Sequence, residues 1–232
     1  TLDAVLNDAS GYDYRIFETG GCRLNQYDSI YFDTDSLKMY TEHRRGKLVR
    51  QKIRTRKYVQ SGLCFLEVKR KNNHGRTKKR RIEIAADLFD NFTEDKAASI
   101  WLSENADYTV RELSPSLRTS FCRITLVNRE LSERLTIDTS VSFKNFRSGS
   151  VADLGDAVII ELKRDGHSRS KMQDVFLRHR IKPAHISKYC IGTALTDSSI
   201  LPGRFKQKVR MIDKLNKNYY LKCYRPTLFL PL

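Results

Sequence analysis

Acidic side chains are in short supply in this chain. Asp and Glu number 27 against 43 Lys and Arg, leaving a formal net charge of +16 over 232 residues. Such an excess favours an anionic partner, whether nucleic acid, an acidic membrane surface, a nucleotide or a phosphate polymer, and charge alone does not choose among them. Paired cysteines are missing too. Cys22, Cys64, Cys122, Cys190 and Cys223 are scattered, odd in number and without a C-x-x-C pair, which argues against a disulfide framework or a zinc site and fits a reducing, cytoplasmic setting. His43, His74, His167, His179 and His185 show no metal-ligand spacing. No apolar run approaches the length that crosses a bilayer, and Thr1-Leu2-Asp3-Ala4 lacks the basic and apolar regions of a signal peptide. The opening also lacks Met, so a fragment or processed product is expected. Nothing resembles a linker, and one domain over residues 1–232 is the expectation.

What the chain does have is cations at every second position. Lys52-Ile53-Arg54-Thr55-Arg56 places three of them on one face of a strand, because successive strand side chains point to opposite sides. Leu66-Glu67-Val68-Lys69 repeats the pattern, with Cys64, Leu66 and Val68 on the other face. Lys79, Arg81 and Glu83 stand opposite Ile82 and Ile84, with Arg80 sharing the apolar face. Arg123 and Thr125 alternate with Cys122, Ile124 and Leu126. Arg134-Leu135-Thr136-Ile137-Asp138 and Val158-Ile159-Ile160-Glu161-Leu162-Lys163 complete the series. One such strand reads as an ordinary solvated face. Repeated strand after strand, like charges accumulate repulsion unless an anion or interleaved carboxylates relieve it, so the series points to a polyanion site.

The alternation predicts strands near Tyr27–Asp33, Leu48–Tyr58, Gly62–Lys71, Thr77–Ile84, Ser120–Val127, Glu133–Val141 and Ala157–Lys163, with Asn72-Asn73-His74-Gly75 as a hairpin turn. Helical spacing appears in a short opening segment, in Glu94–Ser103 behind a Thr93 cap, in Ser168–His179 and in Lys206–Asn216. Apolar strand faces under helices, with charges facing each other, predict an α+β domain built on a closed or nearly closed antiparallel β-barrel with a charged bore. An open sheet with one wet face is the alternative.

Several of these segments together resemble a VTC domain, the polyphosphate-polymerase branch of the triphosphate tunnel (CYTH-like) superfamily. They are Tyr31-Phe32-Asp33-Thr34, Lys52-Ile53-Arg54-Thr55-Arg56-Lys57-Tyr58, Leu66-Glu67-Val68-Lys69, Lys79-Arg80-Arg81-Ile82, Arg134-Leu135-Thr136-Ile137-Asp138, Glu161-Leu162-Lys163 and Ser187-Lys188-Tyr189, in that order along the chain. The resemblance implies a tunnel barrel that binds ATP, triphosphate or polyphosphate inside with Mn²⁺ or Mg²⁺. It implies phosphate contacts from Arg54 and Arg56 on one strand, Lys69 and Lys79 on the next two, and Arg123 and Arg134 on the far wall. Lys52 and Arg81 would add substrate contacts, as would Ser187 and Lys188 from a helical segment that closes one side. Glu161 matches the family's metal-binding glutamate. Its plainer role is charge balance for Lys163 or a cross-strand Arg.

The family's first tunnel strand has no counterpart here, so the barrel is expected to be open along one side or to lack a strand in this chain. His185 stands where the eukaryotic polymerases have Lys and Phe121 where they have Tyr, departures that bear on polymerase activity, and the regulatory and membrane-spanning parts of the eukaryotic proteins have no counterpart in this sequence, so a bacterial stand-alone form is the expected comparison. The implied activity is metal-dependent transfer of the terminal phosphoryl group of ATP to a polyphosphate chain. A tunnel-type triphosphatase and a non-catalytic polyphosphate or nucleic-acid binder are the alternatives. The basic stretch from Lys69 to Arg81 has few aromatic residues for stacking, which counts against single-strand nucleic-acid binding. Tyr219, Tyr220, Tyr224 and Leu228-Phe229-Leu230 form an apolar tail expected to pack on its own domain.

Overall fold

The computed structural model describes residues 2–164 and 170–223, with side chains as far as residue 216. The opening of the predicted helix Ser168–His179, His167 and the apolar C-terminal tail from Tyr224 onward lie outside the described residues, while Tyr219 and Tyr220 fall in the last helix. In chain order the elements are α1 (Leu2–Gly11), β1 (Arg15–Ile16), β2 (Leu24–Asp33), α2 (Lys38–Arg45), β3 (Arg50–Tyr58), β4 (Cys64–Lys71), β5 (Thr77–Ile84), α3 (Lys96–Asn105), β6 (Ser114–Val127), β7 (Glu133–Asn145), β8 (Val151–Asp153), β9 (Ile159–Arg164), α4 (Lys171–Arg178), α5 (Lys188–Thr196) and α6 (Lys206–Cys223). Every predicted strand forms, β5 with the expected bounds, and β1 and β8 are short additions.

The strands make one 9-stranded sheet whose ladders run β5-β4-β3-β2-β6-β7-β8, with β1 on β6 and β9 on β7. Every pairing is antiparallel. Among the described residues no ladder joins β5 to β9, so the tunnel is open on that side, as the strand count predicts.

The period-two pattern decides what each face buries. On the outer face of β2 to β4, Ile30, Ile53, Cys64, Leu66 and Val68 pack with Phe89, Phe92 and α3's Ala98 and Leu102. Helix α3 begins at Lys96, not behind Thr93. The Asn91 side chain accepts the Thr93 N–H and holds 92–94 as a separate 3-10 turn, so Asp95 becomes the cap and accepts the Ala98 N–H at 2.6 Å. Arg80 does share the apolar face, where its Nη1 donates to Asn105 Oδ1 at 2.6 Å. On the outer face of β6 and β7, Leu126, Leu135 and Ile137 lie under Val5 and Ala9 of α1 and Met172 and Val175 of α4.

Helix α5 packs on the opposite, concave face. Tyr189, Cys190 and Ile191 meet Leu117, Phe121, Val141 and Phe143 there. This close approach requires Gly192, because a Cβ at that position would meet Leu117 Cδ2 at 2.7 Å. The segment expected to close one side therefore does so from within.

Candidate anion-binding site

Registers bring the alternating cations onto the concave face. Lys52 pairs with Lys69 and Lys69 with Lys79, while Arg54 pairs with Glu67 and Glu67 with Arg81. Across β2, Tyr31 opposes Arg54 and Ser29 opposes Arg56, and β6 adds Phe121 and Arg123 beyond them. Helix α5 contributes Ser187, its N-cap, and Lys188.

One wall, β3 to β5, is organised around Glu67, which is fully buried. Its Oε2 accepts from Arg54 Nε at 2.8 Å and Nη2 at 2.6 Å, and its Oε1 pairs with Lys79. Burial alone would raise the Glu67 carboxyl, but Arg54, Arg56 and Lys79 hold it at about 2. That buried carboxylate does not neutralise the wall, whose other acidic side chain, Glu83, is exposed at the far end of β5 in register with Phe65. Arg56 is buried and among the described residues donates only to Ser29 Oγ, at 3.2 Å, with its guanidinium 5.5 Å from the Tyr27 ring and 5.9 Å from Phe121. Lys52 donates to Ser187 Oγ at 2.9 Å. Among the described residues neither these two cations nor the half-buried Lys69 forms an ion pair.

Crowding of like charge appears in the titration of the wall. Burial, then Arg54, lowers Arg56 to about 10. Arg54, then burial, lowers Lys69 to about 8. Lys52 is lowered as well, chiefly by burial. Tyr31 goes the other way for a buried phenol. Desolvation would raise it, but Arg54, Arg56, Lys52 and Lys69 pull it down to about 7, and Arg54 Nη1 donates to its oxygen at 2.9 Å. The protein is using a phenol as a partial counter-ion, which is what an array lacking enough carboxylates would do.

The far wall, β6, β7 and α5, has a different balance. Asp138, 2% exposed, accepts from Arg123 Nε at 2.5 Å and Nη2 at 2.8 Å and also pairs with Lys188. Lys188 Nζ lies 4.6 Å from the Phe121 ring centre, and the Arg123 guanidinium 5.2 Å from both Tyr27 and Phe121.

The structure thus gathers Lys52, Arg54, Arg56, Lys69, Lys79, Arg123, Ser187 and Lys188. Arg81 sits at the exposed rim, stacked 4.4 Å from the Phe65 ring. Arg134 is exposed on β7 in register with Lys163, further along from Asp138. Glu161 is in register with Thr136, half-exposed, with Lys163 at 3.5 Å. It also lies within electrostatic reach of Arg123. Sequence reasoning put Glu67 and Asp138 in the right strands without assigning them the counter-ion role, and it passed over Tyr27 and Tyr31 as lining. Their presence on the cationic face by alternation was the available signal.

The donor set bears on a metal. Among the described residues no three His, Cys, Asp or Glu side chains cluster as a ligand set. Glu67 and Asp138 are committed to cations, and Glu161 is the carboxylate with open solvent around it. An all-protein cage does not fit. A hard cation held by one carboxylate, water and substrate phosphates, the usual manner of Mg²⁺, does fit Glu161.

Fold and lining together define an antiparallel tunnel domain whose concave face is short of negative charge. The VTC domain model matches residues 13–196, and the chain belongs to the VTC domain family. Solved structures that the chain resembles include a candidate adenylate cyclase from Bacillus halodurans, 12% identical with a TM-score of 0.50, the match covering 81% of this chain and 89% of that one. Another is a candidate adenylyl cyclase from Hippeastrum described as having a dominant triphosphatase activity, 14% identical with a TM-score of 0.45, covering 88% and 94%. The PH1012 protein of Pyrococcus horikoshii OT3 is 10% identical with a TM-score of 0.42, covering 78% and 86%. The likeness to the Bacillus halodurans structure concerns the fold alone. Among curated proteins none matches the sequence significantly.

Proposed function

We propose that this domain transfers the terminal phosphoryl group of ATP to the end of a polyphosphate chain lying along the concave face. The observation that carries the reading is the buried Arg56, crowded by Arg54 and Arg123 and forming no ion pair among the described residues, with Glu67 acting on it only from beyond contact distance. Leaving a cation desolvated and unpaired costs stability, and a phosphate chain supplies the missing charge.

In this reaction a terminal oxygen of the polyphosphate attacks the γ-phosphorus. The bond from that phosphorus to the bridging oxygen breaks, ADP leaves with the electron pair, and the chain grows by one phosphate. Such a transfer asks the protein to align reactants and neutralise charge on the moving group. Arg54 and Arg56 offer forked donors to phosphate oxygens, with Arg54 held in place by Glu67 and Tyr31. Lys69 and Lys79 add point charges on that wall, and Arg123 and Lys188, fixed by Asp138, do so opposite. Lys52 and Ser187 hold each other at the junction of β3 and α5. Arg81 and Arg134 extend the charge toward the rims. Glu161 would hold Mn²⁺ or Mg²⁺, which when bound supplies further neutralisation of the phosphates.

Incubation of the full chain with ATP and Mn²⁺ tests this directly, with formation of an acid-stable phosphate polymer as the expected result. Orthophosphate and ADP without polymer would replace the reading with a triphosphatase, in which water is the acceptor. No turnover, with tripolyphosphate still bound, would leave a binding domain.

A further inference from the structure

Beyond the concave face, cations continue where the fold has no evident use for them. Arg50 lies two residues before Lys52 on the same face of β3, and its Nη1 donates to the Lys47 carbonyl at 2.6 Å. Lys208 of α6 donates to the carbonyl of His185 at 2.6 Å, two residues from the Ser187 that holds Lys52. The Arg204 guanidinium packs against the left-handed turn at Gly46, where a Cβ would meet its Nη1 at 2.6 Å. Glu42 is taken by Lys47 at 2.7 Å, and among the described residues Arg50, Arg204 and Lys208 form no ion pair.

His43 stands among these groups. Its ring is edge-on to Phe205 at 5.5 Å, and its Nδ1 is 3.1 Å from Cys190 Sγ. Burial, then Lys52, Arg50, Arg204 and Lys208, pushes it down to about 3, so it remains neutral between four positive charges.

We infer that the phosphate track leaves the concave face past Lys52 and Ser187 and crosses a second cluster, Arg50, Arg204 and Lys208, which grips the part of a linear phosphate chain that extends beyond a triphosphate. The inference rests on the proposed function and deepens it by naming a long-chain substrate. Continuity carries it, since Arg50 shares the strand face of Lys52, Lys208 is tied to His185 two residues from the Ser187 that holds Lys52, and Arg204 packs on Gly46 beside them, all four charges surrounding His43. A nucleic acid suits the cluster less well, because its rings, Tyr40 and Phe205, are buried and offer bases no stacking platform.

The test titrates the full chain with inorganic tripolyphosphate and with long-chain polyphosphate, in the parent, in an Arg204→Gln and Lys208→Gln double variant, and in Lys78→Gln on the outer face of β5. The double variant should lose roughly tenfold or more in affinity for the long chain through lost charge-assisted contacts. Tripolyphosphate affinity should fall by much less, within about twofold, because a triphosphate seated on Arg54, Arg56 and Lys69 makes no direct contact with Arg204 or Lys208 and the two clusters are separated by solvent-screened charge. Lys78→Gln should change neither. Equal losses for both ligands, or no loss for the long chain, would overturn the inference, as would displacement of the long chain by duplex DNA at equal phosphate concentration. A parent that binds neither phosphate compound would instead remove the proposed function on which it rests.

Discussion

The two walls of the tunnel use one device to different ends. On each, a buried carboxylate bridges two cations: Glu67 joins Arg54 and Lys79, and Asp138 joins Arg123 and Lys188. Beyond that bridge the Asp138 wall carries only exposed charges, Arg134 and Lys163 together with Glu161. The Glu67 wall adds Lys52, Arg56 and Lys69 without acidic partners and drives Tyr31 toward phenolate. The difference separates positioning from binding. A wall with a small excess of positive charge keeps its cations aligned with little repulsion, whereas one with a large excess gains the more when something anionic occupies it.

The largest effect that would break this comparison is on stability. Glu67→Gln leaves the buried Arg54 and the more exposed Lys79 without their carboxylate and should cost about 3–5 kcal/mol of folding free energy. Denaturant unfolding with and without tripolyphosphate measures it, and the ligand should recover a greater share of the loss for Glu67→Gln than for Asp138→Asn. Equal recovery would mean that the walls do not differ.

A smaller effect concerns pH. Lys69 is lowered from its ordinary 10.5 to about 8 in the folded protein, so the unfolded chain holds the proton more tightly. The charged form therefore penalises folding fully below pH 8, and stability from this group rises as pH climbs from about 8 toward 10.5. Phosphate binding has the opposite sign, because the anion favours the charged ammonium. Tripolyphosphate affinity should fall by roughly tenfold as Lys69 discharges above pH 8, with proton uptake on binding seen by calorimetry in buffers of different ionisation enthalpy. Tyr31, ionising near 7, should add to that fall, and Lys69→Met should flatten it. An affinity independent of pH from 7 to 10 would contradict the shared field of the Glu67 wall.

Least affected should be anion binding in Glu161→Gln. Glu161 lies outside both carboxylate bridges, so metal-free tripolyphosphate affinity should hold or rise slightly as a repelling charge disappears, while Mn²⁺-dependent turnover is lost. Unchanged turnover would leave Glu161 as the partner of Lys163 alone.

Much of this arrangement was legible in the sequence because strands write their faces at period two. Lys52, Arg54 and Arg56 could be put on one face without knowing what lay opposite. What lay opposite was not local information. Asp138 reads as an ordinary strand residue until β6 and α5 bring Arg123 and Lys188 to it from opposite sides in sequence. Helix α2 escaped for a similar reason. Its segment Lys38–Arg45 is strongly charged and follows Leu37 in a left-handed conformation, and its first amides are satisfied from a distance by Asp33, which accepts from Met39 and Tyr40 N–H at 2.9 Å. Tyr189 donates to that same carboxylate at 2.5 Å, tying α2, β2 and α5 together. The two-residue β1 and three-residue β8 are too short to show alternation.

The central claim is that the buried, acid-free cations of the β3 wall hold phosphate. Its most direct test is calorimetric titration of inorganic tripolyphosphate into the parent and into Arg56→Ala, with folding checked by thermal unfolding. Removal of the Arg56 contact should cost about 1.5–3 kcal/mol, a loss of roughly tenfold or more in affinity, in a variant that remains folded. A folded Arg56→Ala that binds tripolyphosphate as tightly as the parent would show that these cations are only the inner face of a sheet.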